Sequence, residues 1–302
     1  MHITGTFLDE ITHDIPSQNW GQREWARDFD AMKAMGIDTV ILIRAGYRDQ
    51  CVFDSEVLAA HRHMRPAYID LLQVFLDEAA RCGMSFWFGT YDSGQYWING
   101  QAEQEVNLNQ AFTEEVIRKY GDHPAWGGWY VSHEIATYDE GVMHVYESLA
   151  NHLRQLKPLP ILISPYIKGV MQFGSEAISL GNHIREWKSV FERLEGVVDI
   201  VAFQDGNVPL DELPDYLAAN AELASAHGLT TWSNVESFER GHPIKFLPLD
   251  YRKMRYKMES AASAGVDKLI TFEFSHFMSP NSMYGGAHGL YRQLMEWKHE
   301  SA

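Results

Sequence analysis

Short apolar or β-branched runs alternate eight times with longer amphipathic stretches along this chain, and no break in composition interrupts the series. The strand candidates are 3–8, 39–45, 85–91, 127–134, 161–166, 200–205, 230–236 and 269–274. The helical patterns are 25–35, 67–82, 108–120, 143–156, 183–194, 213–227, 251–264 and 290–299. Gly36, Gly83, Gly121, Gly196, Gly228 and Gly265 each follow a helical pattern, where a left-handed C-terminal cap is wanted. Eight strand–helix units in 302 residues predict an α/β fold, a single (β/α)8 TIM barrel, because right-handed crossovers put the helices outside a closed parallel sheet. A doubly wound open sheet would carry a glycine-rich phosphate loop after its first strand; here that position reads Asp9-Glu10-Ile11-Thr12-His13. With no linker or low-complexity stretch to divide it, 1–302 reads as one catalytic domain.

Composition removes several classes of function. Acidic side chains number 41 against 25 basic ones, a formal charge of −16, which disfavours a polyanionic partner such as nucleic acid. No run of about eighteen apolar residues is present to span a membrane. The start, His2-Ile3-Thr4-Gly5-Thr6-Phe7, lacks a basic stretch followed by an apolar one, so the chain as given reads as cytoplasmic. Cys51 and Cys82 form no C-x-x-C or finger spacing, which argues against a disulfide framework and a structural zinc site. His61 and His63, among Arg62 and Arg65, read as a solvated loop, and the leading reading calls for no metal or other cofactor.

In a barrel of this kind the reactive groups gather at the C-terminal ends of the strands. Those positions are polar throughout: Asp9 and Glu10 after the first strand, Arg44 and Tyr47 after the second, Tyr91 and Asp92 after the third, His133 and Glu134 after the fourth. The series continues with Tyr166, then Gln204 and Asp205, then Asn234 and Glu236, then Glu273 and His276. Glu134 and Glu236 both close apolar strands on the expected active face, where an unpaired structural charge would be costly to bury. If their strands face each other across the mouth, the two carboxylates flank one substrate bond. Glycoside hydrolysis needs that pair, one carboxyl to protonate the departing oxygen and the other to attack the anomeric carbon or activate water.

Glu273, between Phe272 and Phe274, is a further candidate to orient or replace the nucleophile. Trp97, Trp129, Trp232, Tyr91 and Tyr166 lie at or near strand ends, where flat rings stack on sugars, and His133 is placed to donate to a sugar hydroxyl or tune Glu134. Asp9, Arg44, Gln204, Asp205, Asn234 and His276 complete the expected carbohydrate-binding set, with loops 93–105 and 239–250 as cleft walls. Two other readings use the same barrel. One is a sugar isomerase or epimerase with a divalent metal held by Glu134, Asp205, Glu273 and His276; the other is a barrel that binds carbohydrate without cleaving it.

The words Gly5-Thr6-Phe7, Met35-Gly36-Ile37-Asp38-Thr39-Val40-Ile41-Leu42, and Gly128-Trp129-Tyr130 followed by Glu134-Ile135 resemble a bacterial family catalogued as domain of unknown function 4434, a set of glycoside-hydrolase-like TIM barrels. The resemblance runs over most of the chain, is sharpest in the first half, and implies a carbohydrate-active barrel without naming a sugar. The placement of Glu134 and Glu236 also looks like that of the clan A retaining glycosidases, whose acid/base closes strand four and whose nucleophile closes strand seven. That likeness implies Glu134 as acid/base and Glu236 as nucleophile; where the clan commonly has asparagine before the acid/base, this chain has His133.

Overall fold

Parallel strands buried on both faces can close into a barrel, and in the computed structural model, which describes residues 1–13, 15–240 and 246–300, eight of them do. They are β1 (Ile3–Leu8), β2 (Thr39–Leu42), β3 (Ser85–Gly89), β4 (Trp126–Tyr130), β5 (Ile161–Ile163), β6 (Ile200–Gln204), β7 (Thr230–Asn234) and β8 (Lys268–Thr271). Every neighbouring pair is parallel, and β1 pairs with both β2 and β8 to close the barrel. The outer helices are α1 (Gln22–Met35), α2 (Leu71–Cys82), α3 (Ala102–Tyr120), α4 (Glu140–Leu156), α5 (Leu180–Leu194), α6 (Leu213–Ala226), α7 (Tyr251–Ser263) and α8 (Gly285–Glu300).

Local chemistry sets the helix limits. Helix α2 begins later than its apolar pattern because the Asp70 side chain accepts from Gln73 N, capping the first turn there. Helix α3 begins earlier, with Glu103 and Glu105 in its first turn, where carboxylates favour the exposed N–H groups. Of the six glycines expected as left-handed caps, five have positive φ; Gly121 is right-handed at −61°, its N–H continuing the helical ladder to Ile117 O.

Two apolar layers follow from the alternation. Phe7, Ile41, Trp87, Tyr130, Leu162, Trp232 and Ile270 pack inside the barrel, while Phe75, Phe88, Trp129, Trp187 and Phe203 pack between strands and helices. Each large side chain so buried removes apolar area worth about 1.5–3 kcal/mol. Strands β2 to β8 end earlier than their apolar patterns, and β1 ends with its own, so the polar residues that follow lie on loops above the mouth. Two of those loops build a small sheet from residues Gly46–Tyr47, Gln50–Cys51, Arg65–Pro66 and Tyr91–Asp92, and the loop after β7 forms a hairpin, Phe238–Glu239 with Leu247–Pro248. No helix among the described residues is long and apolar enough to cross a membrane.

Candidate active site

A cavity of about 230 Å³ opens at the C-terminal end of the barrel, and both Glu134 and Glu236 line it. Asp9, Arg44, Trp97, Gln204 and Asn234 share that lining, so the structure brings together seven of the residues expected from the sequence. Asp92, Tyr47, Arg240 and the rings of Phe7, Phe238, Phe246 and Phe272 line it as well. The loop at 93–105 contributes Gly94, Trp97 and Ile98, and the loop at 239–250 contributes Arg240 and Phe246; its residues 241–245 lie outside the described set.

Glu236 sits two residues beyond β7 and is held at three points. Arg240 grips its carboxylate in a two-pronged ion pair, Nη2 to Oε1 at 2.7 Å and Nε to Oε2 at 3.1 Å. Its N–H donates to Asp205 Oδ1 at 3.0 Å, and its carbonyl accepts from Lys257 Nζ at 2.7 Å. Lys257 and Asp205 are themselves paired at 2.6 Å, both buried. Burial raises the Asp205 carboxyl to about 6, Lys257 opposing and the Glu236 charge adding to it. Asp205, expected to touch substrate, instead holds the backbone that carries Glu236.

The carboxylate of Glu236 also rests against bare backbone. A Cβ on Gly206 would lie 1.5 Å from Glu236 Oε2 and 2.7 Å from Arg240 Nε. Gly206→Ala is therefore expected to push the carboxylate off its position while leaving the barrel folded, since the clashing atoms are side-chain tips. Steady-state kinetics of this variant tests whether Glu236 reacts with substrate: displacing a reacting group costs on the order of 10²-fold in kcat, while Tm should stay within a few degrees of wild type. Unchanged kcat would show that this position does not matter.

Glu134 lies four residues beyond β4, one-fifth exposed. Its Oε1 accepts from Tyr130 Oη at 2.9 Å and faces Arg44 Nη2 at 3.5 Å. Arg44 is buried and divided: its Nε also reaches Asp92 Oδ2 at 3.3 Å. The charges of Glu134 and Asp92 raise the Arg44 pKa against the cost of burial. Burial alone would raise Asp92, but Arg44, His133 and the N–H groups of Trp97 and Gly94 outweigh it and hold this carboxyl below its ordinary value. Trp97 Nε1 donates to Asp92 Oδ1 at 2.8 Å, which turns the indole into the cavity wall.

Several expected residues lie elsewhere, for identifiable reasons. The register of β4 slips by one between Phe86↔Trp126 and Trp87↔Gly128, and a one-residue bulge reverses which side chains face inward. Trp129 therefore points out into the helix layer, its Nε1 donating to Lys157 O, while Tyr130 points in and reaches Glu134. Trp232 does face inward but sits deep, edge-on to Trp87 at 5.4 Å with Lys268 Nζ over its ring. Tyr91 is buried in the loop sheet, its hydroxyl donating to Arg48 O. Tyr166 is half-buried and stacks on Phe173, near enough to Glu134 for that charge to add to burial in raising its hydroxyl. His133 is sealed in, its Nε2 against Glu105 Oε1 at 2.9 Å.

Glu273 and His276 are buried behind the cavity and bonded to each other, with His276 Nε2 also 2.7 Å from Pro16 O. They tie the loop after β8 to the loop after β1. Burial opposes protonation of His276, but Glu273 and the Pro16 carbonyl overcome it and push the imidazole up to about 9. The sign is fixed by linkage: this stabilisation is complete below the ordinary histidine range near 6.5 and is lost as pH rises through about 9. Tm measured across that window should fall more steeply for wild type than for His276→Gln; parallel curves would contradict the assignment.

The four residues of the isomerase reading are thus not assembled: Asp205 is paired with Lys257, and Glu273 with His276. Asp92, Glu105 and His133 do approach within 4.8 Å of one another. Hydrogen-bond donors already occupy that group, however. Glu105 accepts from Ser93 N and Ser93 Oγ beside His133, and Asp92 accepts from Gly94 N, Trp97 Nε1 and Arg44. Such a hydrogen-filled centre does not suit a cation.

Sequence reasoning put loop 239–250, which carries Arg240 and Phe246, at the cleft wall without singling out either residue, and passed over Phe238 and Phe272. Arg240 had a readable signal of its own, a guanidinium four residues after a candidate carboxylate; Phe238 and Phe272 had none beyond their place beside strand ends.

Comparison with known proteins supports the fold. The sequence model of the family described as Domain of unknown function (DUF4434) matches residues 3–284. A crystal structure from Bacteroides thetaiotaomicron VPI-5482, named a "putative alpha-L-fucosidase", is 44% identical over 98% of this chain and 92% of that one, with a TM-score of 0.94. The endo-1,4-β-D-mannanase of Thermotoga petrophila RKU-1 shares the fold at 11% identity and a TM-score of 0.61, over 90% of this chain and 87% of that one. A glycoside hydrolase family 5 protein of Bacteroides vulgatus ATCC 8482 does so at 14% identity and a TM-score of 0.56, over 85% of this chain and 56% of that one. No curated protein matches the chain.

Proposed function

This chain belongs to the DUF4434 family, and from that premise we propose that it is a retaining glycoside hydrolase acting as one catalytic domain, with Glu134 as general acid/base and Glu236 as nucleophile. One observation carries the reading: two glutamates from opposite sides of the strand order line one cavity at the barrel mouth. The two carboxylates meet different cations. Arg240 gives two N–H groups to Glu236, which aims that carboxylate. Glu134 meets Arg44 at 3.5 Å, a cation it shares with Asp92, and accepts from the Tyr130 hydroxyl at 2.9 Å, which places a proton donor and a cation beside the group assigned the acid/base role.

In the first step Glu134 donates its proton to the glycosidic oxygen as Glu236 attacks the anomeric carbon, releasing the alcohol and leaving a glycosyl ester on Glu236. In the second, Glu134 takes a proton from water, whose oxygen displaces Glu236 and yields the sugar with its starting configuration. Asn234 Oδ1, buried without a protein hydrogen-bond partner among the described residues, and Asp9 offer acceptors to sugar hydroxyls. Phe7, Phe238, Phe246 and Phe272 offer an apolar wall. A cavity of about 230 Å³ is smaller than the ~300–1,000 Å³ typical of larger ligands, which favours a single terminal sugar.

The name carried by the Bacteroides relative makes an α-L-fucoside the first substrate to try, and the phenylalanine wall suits a sugar that carries a methyl group. The test is a panel of 4-nitrophenyl glycosides with wild type, Glu134→Gln and Glu236→Gln. Turnover of at least one glycoside by wild type, lost in both variants, is the expected result. Wild-type-like turnover in both variants would overturn the proposal.

A further inference from the structure

Arg44 Nη2 lies 3.5 Å from Glu134 Oε1, and Nε of the same guanidinium lies 3.3 Å from Asp92 Oδ2. All three groups line the cavity, and the Arg44 and Asp92 side chains are almost wholly enclosed, at 10% and 5% exposure. Solvent screening is weak there, so one positive charge divided between two carboxylates favours the ionised form of each less than an undivided one would. Building on the hydrolase reading, we propose that Asp92 sets the working pH of Glu134 by competing for Arg44. Asp92 is then a positioning residue: it does not touch the reacting bond, and it acts through the guanidinium.

The surroundings of Glu134 are consistent with that role. Tyr130 donates to it from β4, and Tyr146 of α4 and Tyr166 after β5 feel its charge. Glu236 and Arg240 share the cavity from the β7 side but are bonded to each other, and Asp9 faces Arg44 from the end of β1. His133 and Trp97 stand on the far side of Asp92. Arg44 bridges the two carboxylates directly, so a change at Asp92 has a path to Glu134 through it.

Asp92→Asn is a well-posed probe because the asparagine Oδ1 can keep the bonds from Gly94 N and Trp97 Nε1, while the oxygen facing Arg44 becomes an amide that cannot accept. Arg44 is released toward Glu134, which then holds its proton less tightly. The basic limb of the kcat/KM profile, where the acid is lost, is expected to move down by about one pH unit. Arg44→Gln removes the cation and should move the same limb up. Opposite displacements from opposite charge changes are not what a general loosening of the site produces.

If either variant turns over too slowly, the ¹³C carboxyl titration of Glu134, assigned by its absence in Glu134→Gln, reads the same displacements without catalysis. Limbs that stay in place, or that move together, overturn the inference. An active Glu134→Gln would instead defeat the hydrolase reading, so the two failures are distinguishable.

Discussion

Replacing Glu236 with glutamine is expected to lower kcat on the order of 10⁴-fold or more, the size of effect seen when a catalytic nucleophile is removed. The amide has the shape of the carboxylate and keeps an oxygen for Arg240, so the cavity survives. It cannot attack the anomeric carbon, and it leaves the Arg240 guanidinium without its anion. Binding of a slowly turned-over glycoside, followed by calorimetry, should persist within about tenfold, because the change removes an interaction made chiefly in the transition state. Retained kcat would mean that the tight pair with Arg240 is structural and that chemistry happens elsewhere.

Glu134→Gln is expected to behave differently, in a way that depends on the leaving group. For a glycoside whose aglycone is a poor leaving group, loss of the acid should cost roughly 10²–10⁴-fold in kcat/KM. For a dinitrophenyl glycoside, whose departing phenolate needs no proton, the first step should be nearly unaffected while the second, which needs Glu134 as base, becomes limiting. Stopped-flow traces should then show a burst of phenolate followed by slow turnover. Equal losses across leaving groups, without a burst, would remove Glu134 from the acid/base role. The two glutamates therefore carry distinguishable kinetic fingerprints, and neither can be mistaken for a general folding defect.

The barrel and its polar rim were legible because both depend on patterns of short range. Strands buried on two faces read as apolar runs, and the loops after them carry the polar residues whichever way the chain twists. That logic was enough to place Asp9, Arg44, Trp97, Glu134, Gln204, Asn234 and Glu236 around one opening. It fails where an outcome depends on register or depth. The slip in β4 exchanges the roles of Trp129 and Tyr130, and alternation counted along the sequence cannot show an extra residue. Trp232 has the right face but the wrong height, set low in the barrel edge-on to Trp87.

The carboxylates show a second limit. Asp205 and Glu273 stand at strand ends like Glu134 and Glu236, yet each meets a buried partner, Lys257 or His276, from a distant or unexpected direction. An ion pair of that kind satisfies a charge and takes it out of the chemistry, and nothing near Asp205 in the sequence announces Lys257. Arg240 differs: its pairing with Glu236 happens inside the cavity, so on the proposed hydrolase reading it aims the group instead of retiring it. Whether a strand-end carboxylate is a tool or a tether is decided by which surface its partner comes from.

The most direct measurement is to trap the intermediate. A 2-deoxy-2-fluoro glycoside of the sugar that the panel identifies, bearing a dinitrophenyl leaving group, should inactivate the wild-type protein and add one sugar mass to the peptide that contains Glu236. A label on Glu273 or on any other residue, or inactivation with no covalent adduct by a protein that hydrolyses the parent glycoside, would contradict the account.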